Sequence, residues 1–121
     1  MTLPADLQRF IGSSFRSIWA LELLLILKRE RRPWSHAELV DRTRSSDLVV
    51  SRALDGLVSA GLAVDEGEGT IYMPINEQMA QSVEQLEQLY ATRPDAVRRA
   101  IVSATASPMT AFADAFRLRK D

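Results

Sequence analysis

Arginines and serines are the residues whose placement in this chain could do chemistry, and that chemistry is contact with a polyanion. Residues 9 to 52 hold nine of the fifteen basic residues: Arg9, Arg16, Lys28, Arg29, Arg31, Arg32, Arg42, Arg44 and Arg52. Residues 53 to 92 hold no Lys or Arg, against seven acids. The formal net charge is only −1, so the distribution carries the information rather than the sum. Such an asymmetry confines any polyanion contact to the N-terminal half. The plainer reading of the same residues is an ordinary solvated surface.

Other chemistries find little material. The single histidine, His36, stands beside a helix N-cap, where a solvated helix-start residue is the expected role rather than a general base. No cysteine is present, which removes disulfides and thiolate metal sites and fits a cytoplasmic protein. There is no Gly-rich phosphate loop, no HExxH and no GxSxG. Asp65, Glu66 and Glu68 cluster, but a calcium loop needs more oxygens at fixed spacing. The expectation is a non-enzyme with no cofactor and no metal. The start, MTLPADLQRF, does not read as a signal peptide, and the longest apolar run, Leu23 to Leu27, is far too short to span a bilayer.

A length of 121 residues, 46% hydrophobic and 26% charged, suits one compact domain with a real core. Residues 5 to 14 form a short amphipathic helix with Leu7, Phe10 and Ile11 on one side, weakened or kinked at Gly12-Ser13-Ser14. Residues 17 to 30 are apolar on nearly every face, so this helix is the central core element or packs on a partner chain as well. Lys28, Arg29, Arg31 and Arg32 crowd its C-terminal end, where they suit the helix dipole. Phosphate contact is the alternative.

Pro33 stops that helix, and Ser35 with Glu38 makes a capping box for a short helix over about 36 to 43. Thr43-Arg44-Ser45-Ser46 is a turn, in which Ser45 or Ser46 caps the next helix, about 46 to 60. Gly61 ends it. Val49, Val50, Ala53, Leu54 and Leu57 should face the core, leaving Asp47, Leu48, Ser51, Arg52 and Asp55 mainly outside. Leu62 to Glu66 and Thr70 to Met73 are β-prone, with Gly67-Glu68-Gly69 turning between them. Helix, turn, helix and hairpin in this order are the grammar of a winged helix-turn-helix. The expected class is therefore mainly α with a small β-hairpin.

The division predicted is an N-terminal helix at 1–16, a winged helix-turn-helix at 17–74 and a C-terminal helical extension at 75–121. In the extension, Met79, Val83, Leu86 and Tyr90 are spaced 4, 3 and 4, a two-heptad seam. It packs either on the domain's own core or on a second copy. The latter, with the all-round apolar helix, gives the expectation of a homodimer. Another helix covers about 95 to 104. A last one, after Ser107-Pro108, places Met109, Phe112 and Phe116 on one stripe before Arg117, Arg119 and Lys120.

The stretch SSDLVVSRALDGLVSAGLAVDEGEGTIYMP resembles the recognition helix and wing of MarR-type and related winged-helix transcriptional regulators. The likeness covers about residues 17 to 74 and is at superfamily level. It implies double-stranded DNA as partner, with Ser45, Ser46, Asp47, Ser51 and Arg52 at groove-facing positions. By the same resemblance Arg52 would meet guanine or phosphate, the serines phosphate, and Arg42 and Arg44 would flank the backbone. Two departures stand out. Those regulators usually carry Arg or Lys at the wing, where this chain has Asp65, Glu66 and Glu68. Leu48, large and apolar, lies on the face that would meet DNA, beside Asp47 and Asp55. Winged helices also serve as protein-docking modules, and Leu48 is then the expected contact with a protein partner.

Overall fold

A computed structural model describes residues 4–104. The final helix expected around Met109, Phe112 and Phe116, with its basic end, lies outside the described residues. The molecule is mainly helical, with one small two-stranded antiparallel hairpin.

The first helix, α1 (Ala5–Ser14), buries Leu7, Phe10 and Ile11 and runs unbroken through Gly12. Phe15 follows it, edge-on to Phe10 with ring centroids 5.6 Å apart. The chain then bends by 96° into α2 (Ile18–Arg29), whose N-cap Ser17 accepts a hydrogen bond from the Ala20 N–H. Its apolar residues are used on several sides: Ala20, Leu21, Leu23, Leu24, Leu25 and Leu27 are all buried. A leucine so enclosed contributes about 2–3 kcal/mol by leaving water. α2 is thus the central helix, covered by its own chain.

The Ser35–Glu38 capping box forms as expected. Ser35 Oγ accepts from the Glu38 N–H at 3.1 Å, and Glu38 Oε1 accepts from the Ser35 N–H at 2.9 Å. The Ser35 N–H, with Arg32, holds the Glu38 carboxyl below the usual carboxylate value. The helix it starts, α3 (His36–Thr43), buries Leu39. Arg44 closes α3 in the left-handed conformation, at φ 55°. Ser46, not Ser45, caps α4 (Asp47–Ser59), accepting from the Val49 N–H at 3.2 Å. Val50, Ala53, Leu54 and Leu57 turn inward, while Val49 is only half-buried.

Gly61, at φ +80°, ends α4. The Gly61 and Leu62 N–H groups donate back to Val58 and Leu57 at 3.1 and 3.0 Å, the paired bonds of a Schellman stop. This stop aims the chain into the hairpin, β1 (Ala63–Asp65) with β2 (Thr70–Tyr72), in the register Ala63–Tyr72, Val64–Ile71 and Asp65–Thr70. The patterning did not reveal the hairpin's anchor. Trp34, between α2 and α3, exchanges two 2.9 Å backbone hydrogen bonds with Thr70. Any Cβ at Gly69 would lie 2.6 Å from the Trp34 carbonyl oxygen, so the close approach needs glycine there.

Asn76 caps α5 (Glu77–Thr92), and a sixth helical segment, α6, occupies 94–104. Val83 and Leu86 of the expected seam are fully buried, and Met79 and Tyr90 pack half-buried on the same core. The seam expected to join two copies is therefore internal. The reason is that α2 offers more apolar surface than α3, α4 and the hairpin cover, and α5 folds back to meet it. The Tyr90 hydroxyl donates to Glu22, the one acid within α2, at 2.9 Å. Burial, together with that carboxylate, raises the Tyr90 phenol above its ordinary pKa. No single described helix is long and apolar enough to cross a membrane.

Candidate functional site

The basic cluster at the end of α2 is largely taken up by its own chain. Lys28 Nζ lies 2.7 Å from Glu87 Oε1 and 3.2 Å from Glu84 Oε2, both on α5. The hydrogen bond to Glu87 raises the Lys28 ammonium pKa, with burial opposing it and Glu84 adding to it. For Glu87, burial pushes upward, but the bonds and charges of Lys28 and Arg29 outweigh it and hold the carboxyl below its usual value. Arg29 Nε is 3.3 Å from Glu87 Oε2. The Arg31 guanidinium sits 5.2 Å from the Tyr72 ring centroid, and that of Arg32 sits 3.8 Å from the Trp34 ring. Arg32 also pairs with Glu38 at 3.2 Å. These cations knit α2 to α5, α3 and the hairpin.

Arg42, expected to flank a nucleic-acid backbone, turns the same way. It lies 3.8 Å from Glu30 and 5.6 Å from the Trp34 ring centroid. The cause is the Glu30 carboxylate together with the Trp34 indole, which also holds Arg32.

Arg16, Arg44 and Arg52 behave differently. All three are exposed, and none has a carboxylate or ring partner among the described residues. They come from three places: the α1–α2 corner, the α3–α4 turn and the outer face of α4. Arg44 and Arg52 belong to the sequence-predicted set. Arg16 does not, since nothing in its local pattern marks it; only the fold brings the corner beside α4.

The remaining predicted residues divide. The Ser45 hydroxyl is buried and finds no hydrogen-bond partner among the described residues, so it is not a groove-facing group. The left-handed Arg44 reverses the chain and tucks the next side chain under the turn. Ser46 uses its hydroxyl as the α4 cap. Asp47 is exposed, and its Oδ1 lies 2.8 Å from His36 Nε2, joining the starts of α3 and α4. Leu48 is 57% exposed at the head of the outer face. Ser51 is half-buried one turn further on.

Two grooves flank this face of α4. One, of about 580 Å³, lies against the α1–α2 corner and is lined by Arg16, Trp19 and Arg52 among others. The second, of about 340 Å³, lies against the hairpin and holds His36, Ser51, Asp55, Asp65 and Glu68. Both arginines lie on the first flank of α4, the hairpin acids lie on the second, and Asp55 lines both grooves. The acidic tip has a local use as well, since Asp65 Oδ1 accepts from the Gly67 N–H at 3.0 Å to form the turn. Comparison with protein-family models, with curated proteins and with solved structures finds no match for this chain.

Proposed function

We propose that the chain is a winged-helix DNA-binding transcriptional regulator that reads duplex DNA with the outer face of α4. One observation carries this reading. Arg44 and Arg52, on the turn and on the second helix of a helix–turn–helix, stay exposed and unpaired while the cations at the end of α2 are engaged. A cation kept out of internal pairing is free to release counterions from DNA. The Trp34–Thr70 bridge supports it too, because it fixes the hairpin at the flank of α4, where a wing belongs. The acidic hairpin tip makes the contact one-sided, through the turn, α4 and the α1–α2 corner. In this reading a two-fold assembly uses a surface other than Met79, Val83, Leu86 and Tyr90.

The test is a titration of mixed-sequence duplex at several salt concentrations. Binding at low salt that weakens steeply with added salt is expected, with Arg52→Ala either reducing the salt slope or relaxing sequence choice. A second reading, docking of a protein partner, is favoured by one feature. Leu48 is a large apolar side chain, more than half exposed, at the head of the same face. Absence of duplex binding at low salt would contradict the DNA reading. Leu48→Asp abolishing partner capture would then support docking.

A further inference from the structure

The groove between α4 and the α1–α2 corner has four features that the fold itself does not use. The Trp19 indole, on the first turn of α2, is 43% exposed on its wall. Ser14 is 5% exposed, lines the groove, and its hydroxyl has no hydrogen-bond partner among the described residues. Arg16 and Arg52 stand at the groove with no ion-pair partner among the described residues, although Asp55 lines it too. Gly56 lies in the interior of α4, where glycine costs about 0.5–1 kcal/mol relative to alanine. No packing explains it, because a Cβ there would meet nothing within 4 Å. With no Cβ at Gly56 the groove stays open at this point of its wall.

We infer that this groove binds a nucleoside phosphate, with the phosphate held by Arg16 and Arg52 and the base stacked on Trp19. The volume, about 580 Å³, lies within the range of small-molecule sites. Guanidinium forks match phosphate oxygens, and the start of α2 adds N–H groups with no partner inside the helix. The Ser14 hydroxyl supplies a further donor. An indole face offers a stacking platform to any planar base. Asp55 also lines the groove and has no cationic partner among the described residues. A carboxylate there disfavours a simple aromatic acid and favours a base that presents N–H donors. Guanine presents two adjacent donors, N1–H and the 2-amino group, which suit a bidentate carboxylate; adenine presents one amino group beside an acceptor. Guanine is therefore the preferred base. The inference goes beyond duplex reading and does not need it. Because Arg52 serves both, nucleotide and duplex compete in a chain that does both.

The experiment is calorimetric titration of the full chain, without DNA, using guanosine monophosphate, adenosine monophosphate, inorganic phosphate and guanosine. Guanosine monophosphate is expected to bind saturably at one site, about tenfold or more tighter than each of the other three. Gly56→Leu projects a side chain into the groove from a position whose Cβ meets nothing within 4 Å. It should abolish binding, and Gly56→Ala, which adds that Cβ alone, should hold or raise the melting temperature. Arg16→Ala should weaken binding about tenfold with an unchanged melt. No saturable heat with millimolar guanosine monophosphate overturns the proposal, as does binding unchanged in Gly56→Leu. Equal affinity for phosphate and for the nucleotide overturns the base contact with Trp19. Because no duplex is present, failure here leaves the DNA reading untouched, and the reverse holds as well.

Discussion

Two groups of cations come from the same half of the sequence and meet opposite fates. Lys28, Arg29, Arg31 and Arg32 sit within five residues, the densest positive charge in the described chain, yet carboxylates of α5 and α3 and two aromatic rings engage them. Arg16, Arg44 and Arg52 are scattered, and they are left unpaired. Under the proposed duplex reading, the polyanion surface is set by the cations that the fold leaves without partners rather than by density of charge along the chain. Arg93 and Arg99 are also unpaired, but they belong to the C-terminal layer, away from the helix–turn–helix in sequence.

If the first group is structural, breaking it should unfold rather than disarm the protein. Lys28→Met takes from Glu87 its nearer cation and leaves it only the exposed Arg29, with Lys28 itself only 11% exposed. A loss of about 1–3 kcal/mol is expected in chemical denaturation, less than for a fully enclosed pair because water reaches Glu84. Duplex affinity of the folded fraction should not change.

The same pair sets a pH dependence. The folded-state Glu87 carboxyl lies below its ordinary value of 4.5, so its stabilisation is present above that value and is lost as pH falls through the folded one. Lys28 lies above 10.5, so its share is present below that value and is lost as pH rises past it. In Glu87→Gln the stability gap to the wild type should be constant through neutral pH and should close on acidification below about 4.5. A gap that persists into strong acid would show that Glu87 acts through packing alone.

The turn gives a smaller and more discriminating effect. Arg44 adopts a left-handed conformation that glycine accepts without strain. Arg44→Gly is expected to leave stability unchanged or raise it by up to about 1 kcal/mol while weakening duplex binding. That combination would show that Arg44 serves the proposed duplex contact rather than the turn. Smallest of all, Leu48→Asp should change stability by no more than about 0.5 kcal/mol, since the side chain is mostly in water; thermal melts check it.

Much of the fold was legible in the sequence because local chemistry fixed it. The Ser35–Glu38 box, the Ser46 cap, the Gly61 stop and the Gly-rich tip each act within a few residues. The outward positions of Leu48, Arg52 and Asp55 follow from helical period alone. Contacts between residues distant in sequence were not legible. Trp34 bridges to Thr70 across 36 positions, and no periodicity marks a single extended residue between two helices. The Met79–Tyr90 seam has the right spacing, but spacing does not say whether the covering surface belongs to the same chain. Of the candidate site, Arg44 and Arg52 are exposed, while Ser45 lies under the turn and Arg42 turns to Trp34. Trp19 and Arg16 were missed, because what marks them is a groove made by α4 against a corner 30 to 40 residues earlier in the chain.

In the proposed duplex reading, unpaired cations rather than clustered ones form the polyanion surface. The most direct measurement removes two charges from each group and compares the salt dependence of duplex binding. Arg44→Ala with Arg52→Ala is expected to flatten the slope of log affinity against log salt, by about two where Arg52 meets phosphate and by about one where it meets a base. Arg29→Ala with Arg31→Ala should leave it at the wild-type value. Equal flattening in both double variants would contradict the account, and a larger loss from the Arg29 and Arg31 pair would place the surface at the end of α2 instead.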